Sequence, residues 1–367
     1  MKNPAIHIQS IFVEKQIIDL PMTRSILDRA KGLPVEVVDA GDLNHLGYPP
    51  YPSSLTKGKR HLLLCRNKGA FFKPCPATKE YRCCEYQVLN IGANCPMDCV
   101  YCILQAYLNN PWISFYVNVD DLFSELDQAF QREPNRFWRI GTGEFTDSMA
   151  LDTLTGLSRR LVNFMSSQKK AVLELKTKSA VIDNLEDLDH NGRTVLAWSL
   201  NSTSVMKNHE IHTATLEERL AAAKQCAEWG YKLAFHFDPI IYHPNWRQEY
   251  SQTISTLFET IKAEHIIWIS MGALRYLPTL KQIATSRFPK SRFFYEEFVL
   301  GLDGKRRYFR PHRTEMYKHL YEQLHSRAAA STCIYLCMES DEIWREVFGY
   351  IPEERGGLPF MLDKASA

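Results

Sequence analysis

The 367-residue sequence predicts an α/β fold: a partial (β/α)6 barrel preceded by an N-terminal α/β extension and followed by a small C-terminal αβ cap. Three observations carry this expectation. From Tyr86 onward, short apolar runs alternate with amphipathic helical stretches, the texture of βαβ units around a parallel sheet. The runs number six. A polar, proline-rich stretch sets this region apart from what precedes it. A complete eight-stranded barrel or a doubly wound sheet gives similar periodicity, so the choice falls to the motifs at the strand ends.

In the extension, residues 1–85, segment 7–13 reads as a strand, 22–30 as a helix and 35–38 as a second strand. Segment 46–59 carries Tyr-Pro-Pro-Tyr-Pro at 48–52, which runs neither as a helix nor as a central strand; it reads as a boundary or linker. The barrel, residues 86–275, holds the runs 86–91, 136–141, 172–177, 194–200, 232–237 and 266–271, with helical stretches such as 151–165 and 216–229 between them. The cap, residues 276–367, shows a helix around 277–283, a strand-like 293–300, a turn at Leu302-Asp303-Gly304, a helix around 313–324 and an apolar 333–337.

Lys and Arg number 44 against 42 Asp and Glu, a formal charge of +2. That excludes a strongly basic nucleic-acid coat and an acidic solvating chain, so any nucleic-acid surface must be a local patch. With 45% hydrophobic, 23% charged and 12% aromatic residues the chain is globular rather than disordered. The first ten residues lack a secretory pattern, and no apolar run approaches the roughly 20 residues of a membrane span. Ten cysteines in that context point to a reducing, cytoplasmic setting in which thiols serve metal or redox chemistry.

The strongest motif is Gly92-Ala93-Asn94-Cys95-Pro96-Met97-Asp98-Cys99-Val100-Tyr101-Cys102, in the loop after the first barrel run. Cysteines spaced x3 and x2 can hold three irons of a [4Fe–4S] cluster and leave the fourth open to a small molecule. A structural zinc site wants a fourth Cys or His, and no paired half follows closely. This spacing at the mouth of a β/α repeat, with an aromatic before the last cysteine, resembles the radical S-adenosylmethionine superfamily. Gly141-Thr142-Gly143-Glu144, after the second run, looks like that superfamily's Gly-Gly-Glu motif, in which the carboxylate of Glu144 meets the methionyl ammonium. Lys178 offers a partner for the ligand carboxylate. Ser199 and Asn201 offer a hydroxyl and an amide for the ribose or carboxylate.

Several segments narrow the resemblance to the spore photoproduct lyase family, radical enzymes that reverse a thymine dimer in DNA. They are Phe12-Val13-Glu14-Lys15, Cys102-Ile103-Leu104-Gln105 through Tyr116-Val117-Asn118-Val119-Asp120-Asp121, Thr177-Lys178, Trp198-Ser199-Leu200-Asn201, Ala214-Thr215-Leu216-Glu217-Glu218-Arg219-Leu220, Phe235-His236-Phe237-Asp238-Pro239-Ile240-Ile241 and Gly272-Ala273-Leu274-Arg275. The resemblance implies that Cys95, Cys99 and Cys102 hold a [4Fe–4S] cluster, and that Lys178 and Ser199 help bind S-adenosylmethionine. Thr146 matches a family serine contacting the same ligand. It implies DNA carrying a photolesion as substrate, and an electron donor such as a flavodoxin or ferredoxin.

The chain departs from the family at two places. The known lyases carry a hydrogen-donating cysteine in the loop after the second strand, where this chain reads Gly143-Glu144-Phe145-Thr146-Asp147-Ser148. They carry a tyrosine after the last cluster cysteine, where this chain has Ile103. Tyr101 is the nearby candidate for a catalytic tyrosine, and Cys226, Cys333 and Cys337 are candidate replacement thiols. The same radical generator acting on another substrate, and a non-catalytic metal-stabilised nucleic-acid-binding protein, are the competing readings.

Cys65, Cys75, Cys83 and Cys84 form a second group whose gaps match no common zinc layout; burial as structural cysteines is the expectation. The basic run 305–313 holds five Lys or Arg and two adjacent aromatics after an Asp-Gly turn suited to a hairpin. Arg307 and Tyr308 match an Arg-Tyr pair of the lyases and are the candidate DNA-binding residues. Lys57, Lys59 and Arg60 read as a charged loop, His236 as either a core histidine or an acid–base group, and His243 as loop structure.

Overall fold

The computed structural model describes residues 3–39, 43, 46–76 and 80–366. The larger of its two main sheets has seven parallel strands, numbered one to seven in chain order: Gln87–Leu89, Trp138–Gly141, Ala171–Thr177, Thr194–Ser199, Lys232–Ile240, Ile266–Ala273 and Cys333–Leu336. They lie side by side in that order and curl as a partial barrel, with Phe72–Pro74 antiparallel on the outer edge of strand one. All six predicted runs are strands. The seventh corrects an expectation: residues 333–337 leave the cap and pair with strand six, Trp268 beside Cys333 through Met271 beside Leu336. Its partner lies beyond an intervening hairpin and two helices, so no local pattern announces the pairing.

The second sheet orders Val35–Val38, Ser10–Glu14, His61–Cys65 and Ile113–Tyr116, all parallel, and closes with Gly92–Ala93 antiparallel to the last. Two of its five strands thus come from beyond residue 85, one on each side of the cysteine motif. The first strand starts at Ser10 rather than residue 7, because Pro4–His7 forms a 3-10 turn capped by the Asn3 side chain. The proline-rich loop ends in a helical turn, Leu55–Gly58, not in an exposed linker.

Strand four is buried at every residue, as expected of a parallel strand covered on both faces. The helix Leu216–Glu228 behind it opens with a capping box: Thr215 accepts from the Glu218 amide, and the Glu218 carboxylate accepts from the Thr215 amide. Leu216, Leu220, Ala223 and Ala227 form its buried stripe. Among the described residues no helix is long and apolar enough to cross a membrane.

Inside the barrel, Glu174 on strand three is buried and accepts from Trp268 Nε1 at 2.9 Å, and its Oε1 lies 2.8 Å from His236 Nε2. The other His236 nitrogen meets Ser270 Oγ at 2.6 Å. His236 is therefore a wired core histidine. Burial alone raises the Glu174 pKa, but His236, Lys176 and Trp268 outweigh it and hold the carboxyl down at about 2. A folded pKa below the unfolded 4.5 contributes stability above pH 4.5 and loses it as pH falls through the folded value. We expect Glu174→Gln to be less stable than wild type at neutral pH by on the order of 3 kcal/mol. Urea titrations across pH should show that gap closing between about pH 4.5 and 2.

Candidate active site

The cysteine loop leaves strand one and is pinned on every flank. Gly92 is required because a Cβ there would meet the Ser114 carbonyl at 2.2 Å. Asn94 adopts the left-handed conformation, φ 67°, which asparagine tolerates. Its side chain accepts from the Cys95 amide at 3.0 Å and donates to the Pro111 carbonyl at 3.2 Å, while its amide donates to Phe145 in the loop after strand two at 2.8 Å. Asp98 and Cys99 bridge antiparallel to Ile211 and Glu210. Gln105 Nε2 donates to the carbonyls of Cys99 and Val100, 3.1 Å each.

Two buried cations brace the loop from opposite ends of the chain. Lys59 Nζ donates to the Met97 carbonyl and to Asp98 at 3.1 Å. Arg287 forks onto Asp98 at 2.7 and 2.9 Å and donates to Gln105 Oε1 at 2.5 Å. Burial disfavours the Asp98 charge, yet Lys59 and Arg287 outweigh it and keep the carboxyl below its ordinary pKa. Lys59, expected in a charged surface loop, is thus buried beneath the motif. Neither Lys59 nor Arg287 carries a local sequence signal, because each finds Asp98 only in the fold.

The thiols share one space. Burial pushes Cys95 up to about 12, Lys59 opposes this, and Cys102 and Asp147 add to it. Burial raises Cys99 too; Lys178 opposes it while Glu210, Cys102 and Cys95 reinforce it. Three soft thiols that repel one another as thiolates and lie between two ammonium groups suit a cationic, thiolate-binding group. Among the described residues no three His, Cys, Asp or Glu side chains are gathered as a single-ion site, so the fit to a cluster rests on this donor chemistry. Cys75, Cys83 and Cys84 lie close enough for Cys75 to raise the Cys83 pKa, while Cys65 is buried apart in the smaller sheet.

The loop after strand two is organised by Asp147, which sequence reading passed over. Its carboxylate accepts from the amides of Met149, Ala150 and Lys178 and from Thr177 Oγ1, at 2.7 to 3.0 Å. The run Thr146-Asp147-Ser148, an Asx-turn composition after a strand, was the available signal. Ser148 Oγ receives Thr142 Oγ1 at 2.8 Å and the Lys176 amide at 3.1 Å. In this loop Glu144 is partly exposed and Thr146 buried. Glu144, Glu174 and Asp238 surround the Lys176 ammonium and, against burial, raise its pKa. Asp238, at the end of strand five, pairs with Arg275 at 3.0 and 3.1 Å. Gly272 permits this, since a Cβ there would meet Asp238 Oδ2 at 2.6 Å. Arg275 also donates to Cys337 Sγ at 3.5 Å. Cys337 follows strand seven and is partly exposed; burial raises its pKa, against the Arg275 charge, so it keeps its proton. Cys226 is buried in the helix Leu216–Glu228, and Cys333 at the opposite end of strand seven.

Four expected contacts are corrected by their surroundings. Asn201 has its amide committed, accepting from Tyr250 and Ser202 and donating to Pro239. Tyr101 donates its hydroxyl to Glu210, which Arg219 grips at 2.6 Å in a wholly buried pair; that hydroxyl is not offered to a substrate. Arg307 is 1% exposed, forked onto Asp303 at 2.8 Å and stacked 4.0 Å from the Tyr81 ring. Tyr308 is 2% exposed, stacked on Phe298, and its hydroxyl accepts from the Tyr242 amide at 3.2 Å. The hairpin Phe298–Leu300 with Arg306–Tyr308 exists, but these two residues face inward, so direct phosphate contact is closed to them. Leu302 at its tip is 81% exposed and Phe309 52%, and Arg306 is also exposed. Ser199 is buried with its carbonyl accepting from Arg219 at 2.8 Å.

A partial parallel barrel with a three-thiol loop over its C-terminal mouth, and a ring of charged side chains on the strand ends below, defines a radical S-adenosylmethionine enzyme. A family model described as Spore photoproduct lyase matches residues 6–339, and the chain belongs to that family. It is 25% identical over 336 residues to the Spore photoproduct lyase of Bacillus subtilis, covering 88% of this chain and 92% of the relative. The Geobacillus protein of that name is 24% identical over 328 residues, with the same coverage. Among solved structures, a spore photoproduct lyase variant with bound AdoMet and dinucleoside spore photoproduct superposes with a TM-score of 0.81 at 22% identity, covering 91% of this chain and 99% of that one. That similarity shows a shared fold.

Replacing Cys95, Cys99 or Cys102 by Ala should each remove the iron and sulfide bound on anaerobic reconstitution, assayed per chain. Cys65→Ala and Cys226→Ala should leave both unchanged.

Proposed function

We propose that the protein reverses a thymine-dimer-type lesion in DNA by radical chemistry, with Cys337 as its hydrogen-atom donor. The observation that carries this is the three-thiol loop over the mouth of a family barrel, with a protonated thiol on a strand end below it. Cys95, Cys99 and Cys102 would hold a [4Fe–4S] cluster, which would supply the electron for reductive cleavage of S-adenosylmethionine and, through it, the means to abstract a hydrogen atom from the lesion. The Glu144 carboxylate receives the ligand's ammonium group and Lys178 its carboxylate. Thr146 and Ser199 line the same side. Asp147 is a positioning residue, because it fixes the backbone at Lys178 and at Met149 and Ala150.

The loop after strand two offers no thiol, yet the chemistry needs a hydrogen atom for the product carbon radical. Cys337 supplies it in this reading: its S–H bond breaks, a C–H bond forms, and a thiyl radical remains. That thiyl takes back the hydrogen first removed from the lesion by breaking a 5′ C–H bond of 5′-deoxyadenosine, which returns the 5′-deoxyadenosyl radical, so the step consumes no external reductant. Arg275 orients Sγ, and burial keeps the thiol protonated, as a hydrogen-atom donor must be. On the DNA side, Arg306, Phe309 and Leu302 are the exposed hairpin groups, and they take the part that Arg307 and Tyr308 cannot.

The test is anaerobic. Reconstituted protein, dithionite, S-adenosylmethionine and a dinucleotide carrying the spore photoproduct should yield thymine and 5′-deoxyadenosine, and Cys99→Ala should yield neither. Formation of 5′-deoxyadenosine without thymine would mean the radical generator acts on another substrate. In deuterated water the thymine methyl should carry deuterium from the exchanged thiol. Cys337→Ala should abolish that label and raise the ratio of 5′-deoxyadenosine to thymine, while Cys226→Ala changes neither.

A further inference from the structure

We infer that the groove walled by Val100 of the cysteine loop and by His209, Ile211 and Phe288 is the docking surface for a small acidic one-electron carrier protein of the flavodoxin or ferredoxin kind. This rests on the radical reading above, which requires one electron from outside the chain per activation.

A groove of about 540 Å³ opens there, lined by Val100, His209, Ile211, Phe288, Pro289 and Lys290 among others. Val100 lies between two motif cysteines, and its amide donates to the His209 carbonyl at 2.9 Å. The neighbouring Glu210 and Ile211 pair with Cys99 and Asp98. The groove wall is therefore hydrogen-bonded to the loop itself, and one backbone contact separates the groove from Cys99. Behind the wall, His209 meets Phe293 edge-on at 5.2 Å, and Phe293 stacks on Tyr101 at 5.6 Å.

The chemistry of the rim selects the partner. Ile211 is an exposed apolar residue lining the groove with Phe288 and Pro289; Lys290 lines it too, and Lys207 and Arg292, next in sequence to the lining residues Asn208 and Ser291, are exposed. No acidic side chain lines the groove. An apolar floor with a one-sign basic rim suits a compact, weakly bound protein whose acidic surface is steered in by long-range attraction. Electron-transfer encounters lie at the small end of interface sizes, so one groove suffices. Nucleic acid shares the negative charge but must engage the barrel mouth, where the lesion reacts. In the transfer, the carrier is oxidised by one electron and the cluster reduced by one. No bond of the protein forms or breaks.

The test uses the full reconstituted chain and stopped-flow absorbance of the cluster under anaerobic conditions. Reduced flavodoxin and dithionite serve as alternative reductants. The combined substitutions Lys207→Glu, Lys290→Glu and Arg292→Glu should slow reduction by flavodoxin roughly tenfold or more, and should flatten its dependence on ionic strength. Reduction by dithionite, iron content and affinity for a lesion-bearing oligonucleotide should stay as in wild type. An unchanged flavodoxin rate, an equal slowing with both reductants, or lost oligonucleotide affinity with unchanged flavodoxin rate overturns the assignment. A wild-type protein that dithionite reduces but that never cleaves S-adenosylmethionine refutes the radical reading instead, and that outcome is separate from the docking result.

Discussion

The structure depends on one buried carboxylate, Asp98, gripped by two cations from opposite ends of the chain. Lys59 arrives from the end of the proline-rich loop and Arg287 from the end of the helix Pro278–Arg287. All three side chains are largely or fully excluded from solvent. A buried cluster of two positive charges and one negative is expensive to desolvate and is retained where removal of one partner would strand another. Its position explains the retention: it ties the extension, the cysteine loop and the C-terminal region at a single point. Without it the loop would keep its contacts through Asn94, Gln105 and Glu210 but lose its tie to the extension and to the C-terminal region.

Much of the barrel was legible in the sequence because its signals are local. Strands two to six alternate with helices, save for a single 3-10 turn, Asp183–Leu185, between strands three and four, and each strand is a run of apolar residues that needs no distant partner to be recognised. The cysteines were legible for the same reason, being seven residues of spacing in one loop. What was not legible lies in pairings across the chain. Strand seven reads as one more apolar run in a cap until strand six is beside it. Lys59 reads as a loop charge until Asp98 is beneath it.

The hairpin shows a different failure, in which composition was right and facing was wrong. Residues 305–313 are basic and aromatic, and they do form a hairpin. Alternation along a strand, however, exposes Arg306 and turns Arg307 inward onto Asp303, while Tyr308 is drawn down by Phe298 and Tyr242. A guanidinium stacked on Tyr81 and saturated by Asp303 and Met338 stabilises the turn. A run of charge fixes neither which face is wet nor which charges are already paired. Tyr101 and Asn201 went the same way: each has chemistry suited to a site, and each has spent it on a neighbour in the core.

The cysteine loop also keeps two traffics apart. On one flank, Asn94 donates to Phe145 in the loop that carries Glu144 and Thr146; this is the side of ligand and lesion. On the other, Val100 donates to His209 at the apolar groove. On the proposed reading, a cluster between these flanks would receive electrons from one side and deliver them to the other, so the carrier would stay outside the cavity where carbon radicals form. The same division suits Cys337 as the proposed hydrogen donor. A thiol on the end of strand seven is held by a rigid sheet and by Arg275, across the mouth from the loop after strand two. Moving the thiol there leaves Glu144 and its neighbours free to hold the ligand, with Lys176 and Asp238 completing the charge balance between the two walls.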